Sequence, residues 1–276
     1  MILIDMSQIL FASASMSMKS GKADINIIRH MTLNSLKKYR KEYFDEYGEL
    51  VICCDGKHSW RREFFPQYKA ARKSGRETSS VDWSEVFEIF NQLKNEIKEN
   101  FPYRVIHVDT AEADDIIGTL VLRGREEGEK TLIISSDKDF IQLQMNDNVY
   151  QYSPITKKFL NGVDPNEYLK EHILRGDKGD GIPNVLSDDN VIVDRIRQTP
   201  ITKKNLEVWM EGSLPKEHAE RHERNTELID LRYTPWNLQC KILEQKESKP
   251  IGNRNKLPSY FTEHKLEVLS NHINDF

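Results

Sequence analysis

Residues 131–140 read TLIISSDKDF. A short apolar run leads into Asp137, and Asp139 follows two positions later. Such a run, bounded by polar residues, reads as a buried β-strand. Acids at its carboxyl end stand where open α/β sheets bind ligands. Two carboxylates in one tight turn repel each other unless something neutralises them. A hard divalent cation, which prefers oxygen ligands, is the usual neutraliser. Asp is common in loops, so one strand of this form carries little weight. The chain has three more: MILID ends in Asp5, ELVICCD in Asp55, and YRVIHVDTAEADD in Glu112, Asp114 and Asp115. Four acid-tipped strands alternating with helix-like stretches predict an α/β fold with a mostly parallel central sheet flanked by helices.

The length of 276 residues allows one large α/β domain, or one domain with a substantial appendage. The expected division is an α/β core over 1–161 and a mainly helical region over 162–276. At 38% hydrophobic and 30% charged residues the chain is polar, yet apolar enough for a core. A net charge of −4 argues against bulk attraction to nucleic acid, so charge must be read by region. Cys53, Cys54 and Cys240 form no zinc spacing, and adjacent Cys53 and Cys54 point to opposite faces of their strand. Free cysteines, no basic-apolar leader and no apolar run near ~18 residues predict a cytoplasmic protein without a membrane span.

Gly56–Arg76 differs in kind from the rest. It carries seven cations (Lys57, Arg61, Arg62, Lys69, Arg72, Lys73 and Arg76) against one acid, Glu63, a local balance of +6. Trp60, Phe64, Phe65 and Tyr68 are interleaved, a mixture suited to phosphate contact and base stacking. A solvated amphipathic helix is the plainer reading. Against it, Lys69, Arg72, Lys73 and Arg76 recur at helical spacing and predict one basic face. The stretch is expected to lack the apolar surface to hold itself down.

Elsewhere, Ser7–Ser20 reads as a Met-rich turn and Ile25–Tyr43 as a helix ended by Gly48. Val81–Asn100 and Glu112–Arg125 read as helices, and acids in the first turn of the latter also suit the helix dipole. Val149–Tyr152 and Lys158–Leu160 read as a two-stranded ribbon at the sheet edge. Pro165–Leu174 is a short helix, followed by RGDKGDGIPNV from Arg175 to Val185, whose glycines let backbone amides approach a phosphate. Further helices are expected over Val185–Arg197, Leu206–Trp209, His218–Leu231, Asn237–Glu247 and Thr262–Asn274. The histidines lie on charged stretches and receive no role.

Taken together, Asp5, CCD at 53–55, EADD at 112–115, SSDKDF at 135–140 and GDKGDGIP at 176–183 come in the order found in the 5′-nucleases. These are the flap endonucleases and the 5′→3′ exonuclease domains of bacterial DNA polymerases. The resemblance spans roughly the first two thirds of the chain. LIDMSQI at 3–9, WRREF at 60–64, LRGDK at 174–178 and the final INDF most resemble the branch of T-even bacteriophage ribonucleases H. The resemblance implies a PIN-like core with a basic arch over about 56–82, and a C-terminal helix–three-turn–helix. It groups Asp5, Asp55, Glu112 and Asp114 around a first metal, and Asp137, Asp139 and Asp180, with Asp177, around a second. Asp5 and Asp137 thereby count among the catalytic residues. Lys69 and Arg72 match a basic pair facing the scissile phosphate. Nucleic-acid contacts are expected at Arg61, Arg62, Tyr68, Lys69, Arg72, Lys73, Arg76, Lys178, Gly179 and Gly181. The family follows the glycine loop with a Gly-Ile-Gly hairpin. Here Asn184–Asp194 reads NVLSDDNVIVD, so neither that hairpin's duplex contact nor a potassium site carries over.

The implied activity is metal-dependent 5′→3′ exonuclease and flap endonuclease cleavage of DNA and of RNA in RNA–DNA hybrids, as in removal of primers and flaps in lagging-strand replication. Two Mg²⁺ ions ~3.5–4 Å apart, with Mn²⁺ able to substitute, are the implied cofactors. Branched, nicked or flapped DNA, RNA–DNA hybrid, a phage single-stranded DNA-binding protein and a sliding clamp are the implied partners. Two rivals stand beside this reading. A PIN-type single-strand ribonuclease would lack the GDKGDGIP loop, and a non-catalytic DNA-binding protein would have lost some of the acids.

Overall fold

The computed structural model describes residues 1–19, 21–72 and 79–276. Ser20, Lys73, Arg76 and the rest of 73–78 lie outside the described residues. The strands fall within a residue or two of the expected positions: β1 (Ile2–Asp5), β2 (Leu50–Cys54), β3 (Arg104–His107), β4 (Thr131–Ile134), β5 (Val149–Ser153) and β6 (Lys158–Phe159). They form one sheet in the order β3-β2-β1-β4-β5-β6, parallel throughout except for the β5–β6 ribbon. Ile2 of β1 pairs with Leu50 on one side and with Leu132 on the other. The chain therefore winds outward through β2 and β3, then crosses back to β4. That reversal opens a crevice at the carboxyl ends of β1 and β4, where such sheets bind ligands.

Alternation along the strands builds two cores. Ile2, Ile4, Ile52, Cys54, Leu132 and Ile134 face α1 (Met6–Met18), α2 (Ile25–Tyr47) and α4 (Trp83–Asn100). Leu3, Val51, Cys53, Ile106 and Ile133 face α5 (Ala113–Glu126) and α9 (Trp236–Glu247). Each fully buried Ile or Leu is worth ~1.5–3 kcal/mol of transfer free energy. Burial pushes the Cys54 thiol up to about 12 and Cys53 well up, so both behave as apolar packing groups. Leu257, Tyr260, Phe261, Leu269 and Phe276 join the first core, alongside Ile2 and Ile4. The boundary expected at residues 161–162 thus marks a change in secondary structure, while the two parts share their apolar core. Among the described residues no helix is long and apolar enough to cross a membrane.

Three segments differ from expectation. Ser7–Met18 belongs to α1, which Asp5 caps by accepting from the Gln8 amide at 3.3 Å. Its buried residues, Ile9, Leu10, Ser13, Ala14 and Ser17, follow helical spacing, with Ser13 and Ser17 serving as small core residues. Residues 185–197 form turns rather than a helix, and the chain is next helical in α7 (Lys203–Met210). The Asn184 amide donates to Gln198 Oε1 at 2.7 Å, and Ser187 Oγ accepts from the Thr199 amide at 2.9 Å. Side-chain bonds of this kind compete with a helix for the backbone. Thr262–Asn274 is broken: α10 (Leu257–Glu263) ends where Lys265 adopts φ +55° and the Leu266 amide reaches back to Phe261 O at 2.8 Å, before α11 (Glu267–Ser270).

The basic stretch is also anchored better than expected. Helix α3 (Arg61–Phe64) starts it, and Arg61, Phe65 and Tyr68 are buried. Phe65 and Tyr68 pack with Leu169 and Ile173 of α6 (Pro165–Arg175) and with Leu228 and Ile229 of α8 (Ala219–Ile229). Lys69 sits at φ +54°, outside any helix, and residues 70–72 begin the next helical turn.

Candidate active site

The carboxyl ends of the strands, the start of α5 and the loop after α6 enclose a cavity of about 290 Å³. Asp5, Asp55, Asp114, Asp137, Asp139, Asp177 and Asp180 line it, with Lys69, Arg72, Ser7 and Phe11. Local chemistry aims most of these acids. Asp5 ends β1 and accepts from Ser135 Oγ at 2.9 Å. Asp55, one residue past β2, accepts from Ser7 Oγ and from the Ala113 amide at the start of α5. Asp137 follows β4 and caps the 3-10 turn Lys138–Met145, accepting from the Asp139 amide at 3.0 Å. Gly176 ends α6 at φ +65°, with its Cα so close to the backbone that a Cβ would meet Ile182 O at 2.4 Å. In the turn that follows, Asp177 Oδ1 accepts from the Gly179 and Asp180 amides at 2.7 and 3.0 Å.

Two groups of acids separate by their electrostatics. Burial, then the charge of Asp55, raises Asp5 to about 7. Burial, then Asp137, raises Asp139 to about 7, and burial pushes Asp114 up as well. These carboxylates share a small space with too little positive charge beside them. Glu112 is the opposite case. Burial alone would raise it, but Lys69 and Arg61 hold it down at about 2. Its carboxylate accepts from Ser59 Oγ at 3.0 Å, Arg61 Nη1 at 3.2 Å and Lys69 Nζ at 2.5 Å. The Tyr68 hydroxyl lies 2.7 Å from Glu112 Oε2 and 2.9 Å from Asp180 Oδ2, and its single proton serves one of them at a time. Glu112 therefore stands behind the cavity wall, fully partnered, while Asp114 lines it.

Lys69 and Arg72 converge on Asp180 but not from one helix face. The Lys69 amide donates to Asp180 O at 2.7 Å, its Nζ lies 3.4 Å from Asp180 Oδ2, and Arg72 pairs with Asp180 Oδ1. Arg61 and Tyr68, expected to touch nucleic acid, instead form the floor. Arg61 pairs with Asp115 at 2.9 Å and donates to Leu228 O at 2.8 Å. Both are only 2% exposed, too buried to reach a phosphate. Asp115 also accepts from Trp60 Nε1, Thr234 Oγ1 and the Glu112 amide, so it is a structural hub. Gly181 is buried too; its φ of +78° and the 2.8 Å from its Cβ position to Gln67 O give it a packing role beneath the basic stretch. Arg62, Lys178 and Gly179, also expected to touch nucleic acid, are exposed.

Two participants escape sequence reasoning. Phe11 lines the cavity and packs edge-on against Trp83, Phe87 and Phe90. His172, on α6, lies between Asp139 and Asp177 at 3.5 and 3.3 Å. A helical turn and a half before Asp177, it carried no signal beyond its residue type.

This geometry can be set beside known proteins. Residues 1–173 match the model of the 5′-3′ exonuclease N-terminal, resolvase-like domain, and residues 165–276 that of the C-terminal region of T4 RNase H. The chain is 35% identical to ribonuclease H of Enterobacteria phage T4 over 289 aligned positions, covering 99% of this chain and 95% of that protein. It is 32% identical to flap endonuclease Xni of Shewanella sp. (strain MR-4) over 145 positions, 49% of this chain and 52% of that one. The fold is similar to that of the flap endonuclease of bacteriophage T5, solved as a pseudo-enzyme–product complex with DNA and metal ions. The TM-score is 0.64 at 19% identity, covering 90% of this chain and 99% of that chain. The acid-lined crevice thus sits in a chain that the two family models together span, and the chain belongs to the 5′→3′ exonuclease family, in the branch that shares the T4 RNase H C-terminal region.

Proposed function

We propose that this chain is a divalent-metal-dependent 5′→3′ exonuclease and flap endonuclease. The observation that carries the reading is the convergence of acids from the ends of β1, β2 and β4, the start of α5 and the loop after α6 on one cavity, with Lys69 and Arg72 on its wall. The donor set fits divalent cations: it is built almost wholly of carboxylate oxygens, and burial has raised Asp5, Asp114 and Asp139. Asp5, Asp55 and Asp114 would hold one ion, and Asp137, Asp139 and Asp180, with Asp177 close behind them, a second, with Mg²⁺ the proposed occupant and Mn²⁺ a substitute. Bound there, such ions supply Lewis-acid stabilisation of phosphate charge and a more acidic attacking water.

The chain's own groups do the rest. Lys69 stays protonated, because Asp180 and Glu112 outweigh the effect of its burial. It therefore presents a fixed cation to a phosphate entering the cavity. Arg72, more exposed, offers a planar fork for the same phosphate. Asp115 and Arg61 hold the base of the basic stretch against α5, so both cations are placed before substrate arrives. Branched, nicked or flapped DNA and RNA–DNA hybrid are the proposed substrates, and primer and flap removal the proposed task.

Digestion of a 5′-labelled flap, a nicked duplex and an RNA–DNA hybrid, with and without Mg²⁺, tests this. Release of 5′ products from flap and hybrid, abolished by a chelator, is expected. Cleavage of single-stranded RNA alone, or none of any substrate, contradicts the reading.

A further inference from the structure

His172 belongs to none of the motifs that point to the acids, yet it stands among them. Its Nε2 lies 3.3 Å from Asp177 Oδ2, and its Nδ1 lies 3.5 Å from Asp139 Oδ1. Nδ1 is shut off from solvent and makes no hydrogen bond to the described residues. The side chain is only 12% exposed. The Tyr168 ring packs edge-on against the imidazole at 5.5 Å and limits its rotation.

Proton placement narrows what this geometry can mean. An imidazole that donates Nε2–H to Asp177 keeps a lone pair on Nδ1. That lone pair then faces a carboxylate oxygen, and two acceptors in contact with neither a proton nor a cation between them are costly. A cation between them satisfies both. Metal–nitrogen and metal–oxygen bonds of about 2.0–2.2 Å allow two ligand atoms to stand up to roughly 4 Å apart. The candidate ligand atoms of Asp139, His172 and Asp177 all lie within 4.8 Å of one another. A carboxylate accepting from the far ring nitrogen is also the usual way a ligating histidine is held in one tautomer.

We propose that His172 Nδ1 is a ligand of the cation held at Asp139, with Asp177 fixing the imidazole from behind. This rests on the metal-dependent reading above and adds to it. One nitrogen in a set otherwise made of oxygen shifts that position toward first-row transition ions, Mn²⁺ among them, relative to Mg²⁺. The competing arrangements put a proton between His172 Nδ1 and Asp139, on the ring or on the carboxyl, and leave no free lone pair for a metal.

Pulsed electron paramagnetic resonance on the full chain with one equivalent of Mn²⁺ separates the two. Expected is coupling of the Mn²⁺ electron spin to an imidazole ¹⁴N, replaced by a ¹⁵N pattern in chain grown with ¹⁵N-histidine. Among the described residues no other histidine lines the cavity or joins the acid cluster, so the wild-type signal is informative by itself. His172→Gln keeps a donor for Asp177 but offers no ring nitrogen. It should lose the coupling and bind Mn²⁺ about tenfold more weakly by calorimetry, with a smaller change for Mg²⁺. Wild-type Mn²⁺ without nitrogen coupling, or coupling that survives in His172→Gln, overturns the proposal. Flap cleavage is scored separately. Coupling without cleavage removes the nuclease reading and keeps the ligand; cleavage without coupling does the reverse.

Discussion

Lys69 shows how much a single position depends on its backbone. At φ +54° it leaves the helical path, donates its amide to Asp180 O and sends its amine between Glu112 and Asp180. A cation aimed at the point where phosphate charge builds is worth ~10²–10³ in rate. Lys69→Ala is therefore expected to lower the single-turnover rate on a flap about a hundredfold with little change in substrate affinity. Arg62, exposed on α3, should behave oppositely. Arg62→Ala should weaken binding, reduce the salt slope by about 1, and recover its rate at saturating DNA. Rates and binding constants at two salt concentrations check both. A Lys69→Ala rate restored by low salt alone would reduce Lys69 to a docking charge. Most of the acids were legible in the sequence because they follow an apolar strand or open a helix, and Asp177 and Asp180 because they sit in a glycine-rich loop. His172, Phe11 and the burial of Arg61 and Tyr68 were not, because their roles come from contacts between segments far apart in the chain.

At the scale of elements, the loop after α6 and the basic stretch fit together through Gly181. Its φ of +78° and the 2.8 Å from a Cβ to Gln67 O leave no room for a side chain. Gly181→Ala is expected to cost at least ~1–2 kcal/mol from the backbone conformation, read by chemical denaturation, and to lower cleavage by displacing Asp180. Unchanged stability would show that the loop yields freely. A second joint ties three helices. Glu96 of α4 accepts from Arg29 of α2 at 2.8 Å and from the Tyr260 hydroxyl of α10 at 2.7 Å. Burial would raise Glu96, but the Arg29 and Tyr260 bonds prevail and hold it below the usual carboxylate range. A lowered folded value means that the stabilisation is present above the unfolded value of ~4.3 and is lost as pH falls through the folded one. Glu96→Gln should cost about 3 kcal/mol at pH 7, and the gap to wild type should close under acid. A gap independent of pH would rule out the charge as its source. Strands and most helices were legible from periodicity. Helix α1 was misread because its buried serines imitate a turn. Residues 185–197 were misread because their apolar spacing hid the side-chain bonds that hold the loop.

Across the whole molecule, a chain of net charge −4 confines its catalytic attraction to one place. The reversal of strand order between β1 and β4 gathers Asp5 and Asp137, and the helical region returns to the sheet to deliver Asp177 and Asp180 to the same cavity. Order along the chain was enough to expect that gathering; the shared core that enforces it was not visible, because Phe276 and Phe101 meet only in the fold. The central claim is that this cavity binds divalent cations for phosphodiester cleavage. Its most direct test is Asp137→Asn, followed by Mg²⁺ or Mn²⁺ calorimetry and single-turnover flap cleavage, with flap binding measured in parallel. Weakened metal binding, loss of cleavage and nearly unchanged affinity for the flap are expected. Wild-type cleavage by that variant at saturating metal would contradict the claim.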